Sequence, residues 1–162
     1  MTLEVLGQSK IGDSNQSEEY SLEVDTLGPA AQFSIFAVRV WSSAAKQKLS
    51  MDYALGQLFR DFRCTEVLGT FDECMSLIAV SALRPINIGC CPSNRYVVGD
   101  EAMMLNCFRA LERDDPEAAL AEIDQVMIHS LKPTFCRIAK RYVLHLNKMG
   151  LNFRAQNKLS LV

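Results

Sequence analysis

Histidine is almost missing from this chain: of its 162 residues only His129 and His145 carry an imidazole. A serine or cysteine nucleophile needs a base within hydrogen-bond reach, so any triad-type site would have to use one of these two. The eight glycines are scattered, and none forms a P-loop or dinucleotide fingerprint, which removes the common phosphate-cradling loops. No Cys-x-x-Cys occurs, so structural zinc at its usual ligand spacing is not expected. Long hydrophobic runs are missing too. The densest uncharged apolar stretch, Ser76 to Leu83, is far short of the roughly 20 residues that cross a bilayer. No apolar core of signal-peptide type lies between Met1 and Lys10, so the expected location is the cytoplasm.

What is present is an ordinary globular composition, 49% hydrophobic and 22% charged. A chain of this size buries roughly 70% of its unfolded surface as one domain and needs no covalent staples. The six cysteines are therefore expected to be reduced. Cys74, Cys107 and Cys136 fall within helical apolar patterns and read as small core residues.

The predicted fold class is all-α: an irregular bundle of five or six helices with an extended acidic N-terminal arm. Residues 1–30 form that arm, with six acids against the single base Lys10, and residues 31–162 form a single helical domain. Tyr20, Leu22 and Val24 alternate with polar residues, so part of the arm is expected to lie extended against the domain or a second copy. A first helix should follow Pro29 and run through Phe33, Phe36, Val40, Trp41, Ala44 and Ala45, although Phe36 to Trp41 is rich enough in β-branched and aromatic residues to make a strand the competing reading. Ser50 should cap a second helix whose inner face is Leu55, Leu58, Phe59 and Phe62.

Thr70 and Glu73 match a capping box and so place the start of a third helix at Thr70. This helix, apolar over most of its circumference to Leu83, should sit at the centre of the core. Arg84 to Arg95, with two prolines and a glycine, is the longest internal loop. Asp100 and Glu101 suit the positive end of a fourth helix's dipole. Asp115 and Pro116 open a fifth, expected to continue through Val126 and Met127 with His129 at its C-terminal end. The sixth should run from Pro133 to a stop at Gly150. Ala110 to Leu120, about a dozen residues, resembles the helical hairpins of tetratricopeptide-like proteins, but no second copy follows at a fixed spacing.

Two features carry functional expectations. Cys90, Cys91 and Pro92 place adjacent thiols in an exposed loop, and the Cys-Pro step resembles the short haem-regulatory motif; a thiol- or haem-based sensor is the alternative they support. The second is charge segregation. Residues 99–128 hold eight acids against Arg109 and Arg113, whereas residues 131–162 hold seven bases and no acid. Arg137, Lys140, Arg141 and Lys148 lie off the apolar stripe of the last helix and form a basic face. That face either complements the acidic block internally or binds a partner. The acidic surface of another protein fits it best; a homo-oligomer or nucleic acid is an alternative, the latter without aromatic interleaving. His145 is expected to be a hydrogen-bonded residue at the border of the apolar stripe. No catalytic constellation emerges, and the expected function is that of a non-enzymatic regulatory or adaptor protein.

Overall fold

Pro29 begins the first helix because its ring presets a helical φ and its missing N–H falls where no acceptor exists. In the computed structural model, which describes residues 22–154, helix α1 runs Pro29–Lys46. It is followed by α2 (Met51–Asp61), α3 (Thr65–Ser81), α4 (Asp100–Glu112), α5 (Pro116–Glu122) and α6 (Lys132–Lys148). The all-α expectation holds for the described residues, and no helix among them is long and apolar enough to cross a membrane. Phe36 to Trp41 is helical throughout. Its β-branched residues are accommodated because Val38 is buried against the other helices, so packing overrides propensity.

Local signals fixed several boundaries. The Ser50 hydroxyl accepts the Tyr53 N–H at 3.1 Å, and the Asp115 carboxylate accepts the Ala118 N–H at 3.0 Å. At the end of α6, Gly150 donates to the Asn147 carbonyl and Leu151 to the Leu146 carbonyl, the paired bonds of a Schellman stop.

Two boundaries differ from expectation. Helix α3 starts at Thr65, not Thr70, and Thr70 is buried within it. The chain turns at Arg63, where φ is +55°, and Val67, Phe71, Cys74 and Ile78 then form a continuous buried stripe that begins one turn before the supposed cap. This helix packs on several sides as expected, lying on α1, α2 and α6, while Val80 at its end and Leu83 just beyond are exposed. Helix α5 stops at Glu122, well short of His129. Beyond it the chain is drawn across to the end of α3: Leu83 N–H meets the Val126 carbonyl and Ile128 N–H meets the Ser81 carbonyl, flanking a bridge between Ala82 and Met127. His129 consequently opens a 3-10 turn and caps no helix.

A connected series of rings runs through the core. Phe33 of α1 meets Phe59 of α2, Phe59 meets Phe71 of α3, Phe71 meets Tyr142 of α6, and Tyr142 meets Phe108 of α4, which packs on Phe153 beyond α6. Centroid spacings of 5.0 to 5.7 Å suit edge and tilted contacts. The Tyr142 hydroxyl is satisfied by Ser34 at 2.8 Å, and burial pushes its pKa well up. Cys74, Cys107 and Cys136 are buried as expected, and so is Cys64, whose pKa burial and nearby Glu66 push up to about 11.

Of the acidic arm, residues 1–21 lie outside the described residues. Leu22 and Glu23 lie against the long loop through a bridge between Glu23 and Tyr96, with Val97 donating to the Leu22 carbonyl and Val24 to the Arg95 carbonyl; Val24 itself opens a 3-10 turn, Val24–Thr26.

One charged pair crosses this apolar interior. Arg39 and Glu101 are both fully buried, with Arg39 Nε 2.7 Å from Glu101 Oε1 and Nη2 2.8 Å from Oε2. Removing one member leaves the other charge buried, so Arg39→Met should lower unfolding free energy by about 3–5 kcal/mol. Urea denaturation measures this; a loss below about 1 kcal/mol would show that the pair is held no better than one on the surface.

Candidate functional site

The loop from Leu83 to Gly99 is irregular because Pro85, Gly89 and Pro92 deny it a ladder or a helix. It is nevertheless fixed from beneath by two acids at the start of α4. Glu101 accepts the Gly89 N–H at 3.0 Å and the Val98 N–H at 2.9 Å in addition to Arg39. Arg39 in turn donates to the carbonyls of Pro92, Asn94 and Tyr96. All five guanidinium donors and all four carboxylate lone-pair directions therefore have partners. Asp100 takes the neighbouring strip of loop: it receives both terminal nitrogens of Arg84, at 2.7 and 2.8 Å, and the Asn87 N–H at 2.7 Å.

Two glycines make this approach feasible. A Cβ at Gly89 would lie 3.0 Å from Arg39 Nε and 3.1 Å from Glu101 Oε1. Gly99, at φ +50° and ψ −125°, occupies a region closed to side chains, and a Cβ there would lie 2.6 Å from the Asn87 carbonyl oxygen.

The adjacent thiols sit on the outer side of this clamped loop, both exposed. Cys91 Sγ is 2.9 Å from Ser93 Oγ. The Ser93 hydroxyl and backbone N–H, with Arg39 contributing at longer range, hold the Cys91 thiol below its ordinary pKa. The loop expected from composition to be accessible thus presents an exposed thiol held below its ordinary pKa on a hydrogen-bonded base.

Beside it lies a cavity of about 460 Å³ whose lining includes Pro92, Phe33, Phe36, Leu58 and Phe62. Phe62, expected to face the core, is 45% exposed at its rim. Its ring still contacts Phe33 edge-on at 4.9 Å.

The basic face of α6 is divided. Lys132 is buried against Asp124, and Lys140 reaches Asp114 and the Leu111 carbonyl, so part of the basic block meets the acidic block within the fold. Arg141 approaches Glu73 only to 3.9 Å. Arg137 and Lys148 are exposed and have no ion pair among the described residues. Arg137 and Lys140, together with Asp114 and Asp115, stand at the edge of an apolar cavity of about 360 Å³ between α4, α5 and α6, formed by Leu111, Pro116, Leu120 and Pro133. Lys148 is at the far end of the same helix and is not part of this cavity. His145 differs from expectation, since its Nδ1 is buried and has no hydrogen-bond partner among the described residues.

Sequence reasoning gave Glu101 only a dipole role at the start of the fourth helix and did not single out Arg39. The available signal was an arginine between Val38 and Val40 in an apolar helix, together with a second acid directly after Asp100. Comparison with protein families, curated proteins and solved structures finds no match.

Two outcomes follow. Ser93→Ala should move the pH midpoint of Cys91 alkylation upward, toward the ordinary thiol value near about 8.5; mass-spectrometric labelling across pH measures it, and an unchanged midpoint contradicts the assigned role of Ser93. Asp100 is held below the usual carboxylate range, first by its hydrogen bonds from Arg84. A depressed folded pKa stabilises the fold above the unfolded value of about 3.9, and this contribution is lost as pH falls through the lower folded value. Stability of Asp100→Asn should therefore fall less steeply than wild type in this acid range, as read by denaturation at stepped pH; parallel curves would contradict the linkage.

Proposed function

We propose that this protein is a non-enzymatic adaptor or regulatory protein that binds another protein through the surface of α6. The observation that carries it is the placement of Arg137 and Lys140 around the apolar cavity between α4, α5 and α6. Asp114 and Asp115 share this rim with the two bases and Lys140 is paired with Asp114, so the cation left over is Arg137; beside the apolar recess it matches a partner segment that combines an acidic group with an inserted apolar side chain. Lys140 is already oriented by Asp114 and the Leu111 carbonyl, so it contributes a preorganised edge while Arg137 supplies the unpaired charge. Lys148 extends the positive field along the helix.

A second reading is favoured by one specific observation, the lowered pKa of exposed Cys91 beside Cys90. On this reading the loop senses oxidants, or binds haem through a thiolate, and its clamped base transmits the change to α1 and α4.

The two readings separate in one comparison. Co-purification with mass spectrometry should show partner proteins with wild type and Cys90→Ser/Cys91→Ser, and loss of them with Arg137→Glu/Lys148→Glu, both charges being exposed and removable without unfolding. Equal recovery by the charge-reversed variant contradicts the adaptor reading. Loss confined to the cysteine variant transfers support to the thiol reading, which a haem titration without Soret shift and an unreactive Cys91 would in turn defeat.

A further inference from the structure

A different cavity, of about 620 Å³, lies between the start of α1, the end of α4 and the segment after α6. Leu22, Phe153 and Glu112 contribute to its wall, and three arginines meet there: Arg109, Arg113 and Arg154. The four-residue spacing of Arg109 and Arg113 puts them on one side of α4. Arg154 is brought to them because Phe153 is completely buried beside Phe108, with its N–H on Glu112 Oε1 at 2.9 Å and its carbonyl facing Arg109 Nε at 3.4 Å.

The charges in this cavity do not balance. Glu112, its one acid among the described residues, is turned to the Phe153 N–H, and the Asn147 amide, in the orientation that satisfies both its ends, donates to the same oxygen at 2.7 Å. Arg113, Arg154 and the terminal nitrogens of Arg109 find no acceptor among the described residues. The other cations of the fold that are drawn inward, Arg39, Lys132 and Lys140, each have carboxylate and carbonyl acceptors or a carboxylate alone. Burial, and then the nearby Arg113 charge, hold Arg109 below its ordinary pKa, with the Glu112 carboxylate offsetting only part of this. A dipole role at the C-terminal end of α4 accounts for Arg113 but not for Arg154, which comes from another segment.

We propose that this cavity is a binding site for a multiply charged oxyanion of phosphate type, held by Arg109, Arg113 and Arg154. Guanidinium forks match phosphoryl oxygens bidentately, and the cavity volume suits a small phosphorylated molecule. The chain itself offers a second source of oxyanion: Glu18 and Glu19 precede the cavity-lining Leu22 by four and three residues, a reach of at most roughly 14 Å.

Calorimetric titration of the full chain with inorganic pyrophosphate at low salt tests the site. Binding should be seen with wild type, weaken by about tenfold or more in Arg113→Ala/Arg154→Ala, and stay unchanged in Arg137→Ala/Lys148→Ala. Arg113 and Arg154 are exposed, so an unaltered thermal midpoint in their variant separates lost binding from lost fold. In Glu18→Gln/Glu19→Gln, an unchanged affinity assigns the site to free phosphates, and an increased affinity shows the chain's own carboxylates competing for it; both support an oxyanion site. No binding by wild type or by Glu18→Gln/Glu19→Gln overturns the proposal, as does equal weakening in the Arg137→Ala/Lys148→Ala control.

Discussion

The buried pair of Arg39 and Glu101 is the constraint on which the irregular half of this structure depends. An ion pair removed from water is favourable only when its remaining hydrogen-bonding capacity is also met, because desolvation otherwise exceeds the Coulombic gain. Here that capacity is met by the backbone of the long loop: three carbonyls on Arg39 and two amides on Glu101. The loop therefore acts as the solvent of the pair. The pair in return gives the loop the hydrogen bonds that its prolines and glycines deny it. Each half would be unstable alone, which ties α1, α4 and residues 89–98 into one cooperative unit.

This coupling explains how the exposed thiols come to be ordered. Cys91 lies between residues whose backbones contact the pair, and its hydroxyl partner Ser93 lies between Pro92 and Asn94, both acceptors from Arg39. A composition typical of a flexible loop thus yields a fixed one. The charge blocks illustrate the complementary case: Asp124 with Lys132 and Asp114 with Lys140 cancel locally, and the positive charge left over is concentrated at Arg137, at Lys148 and in the three-arginine cavity. Segregation along the sequence overstates segregation in space because α4, α5 and α6 pack on one another.

Legibility followed the range of the interaction. Ser50, Asp115 with Pro116, and Gly150 act within one helical turn, so their residue types announced three helix ends. Thr70 and Glu73 also form a local pattern, but the same spacing occurs inside any helix, and the buried Val67 stripe one turn earlier outweighs it. The early end of α5 could not be read locally, since the Ala82 and Met127 bridge joins residues more than forty positions apart. Arg39 was hidden for the same reason. On a sequence, a charge in a helix looks like part of its solvated face, and the acid that makes burial tolerable is 62 residues away.

Amide hydrogen exchange at Gly89 and Val98 tests the central coupling most directly. Both amides end on Glu101, inside a loop with no regular secondary structure. If the pair and the loop form one unit, these amides exchange in wild type only with opening of the α1 and α4 helices, and both exchange rapidly in Glu101→Gln while the α2 amides retain their protection. Fast exchange at Gly89 and Val98 in the wild-type protein would contradict the account.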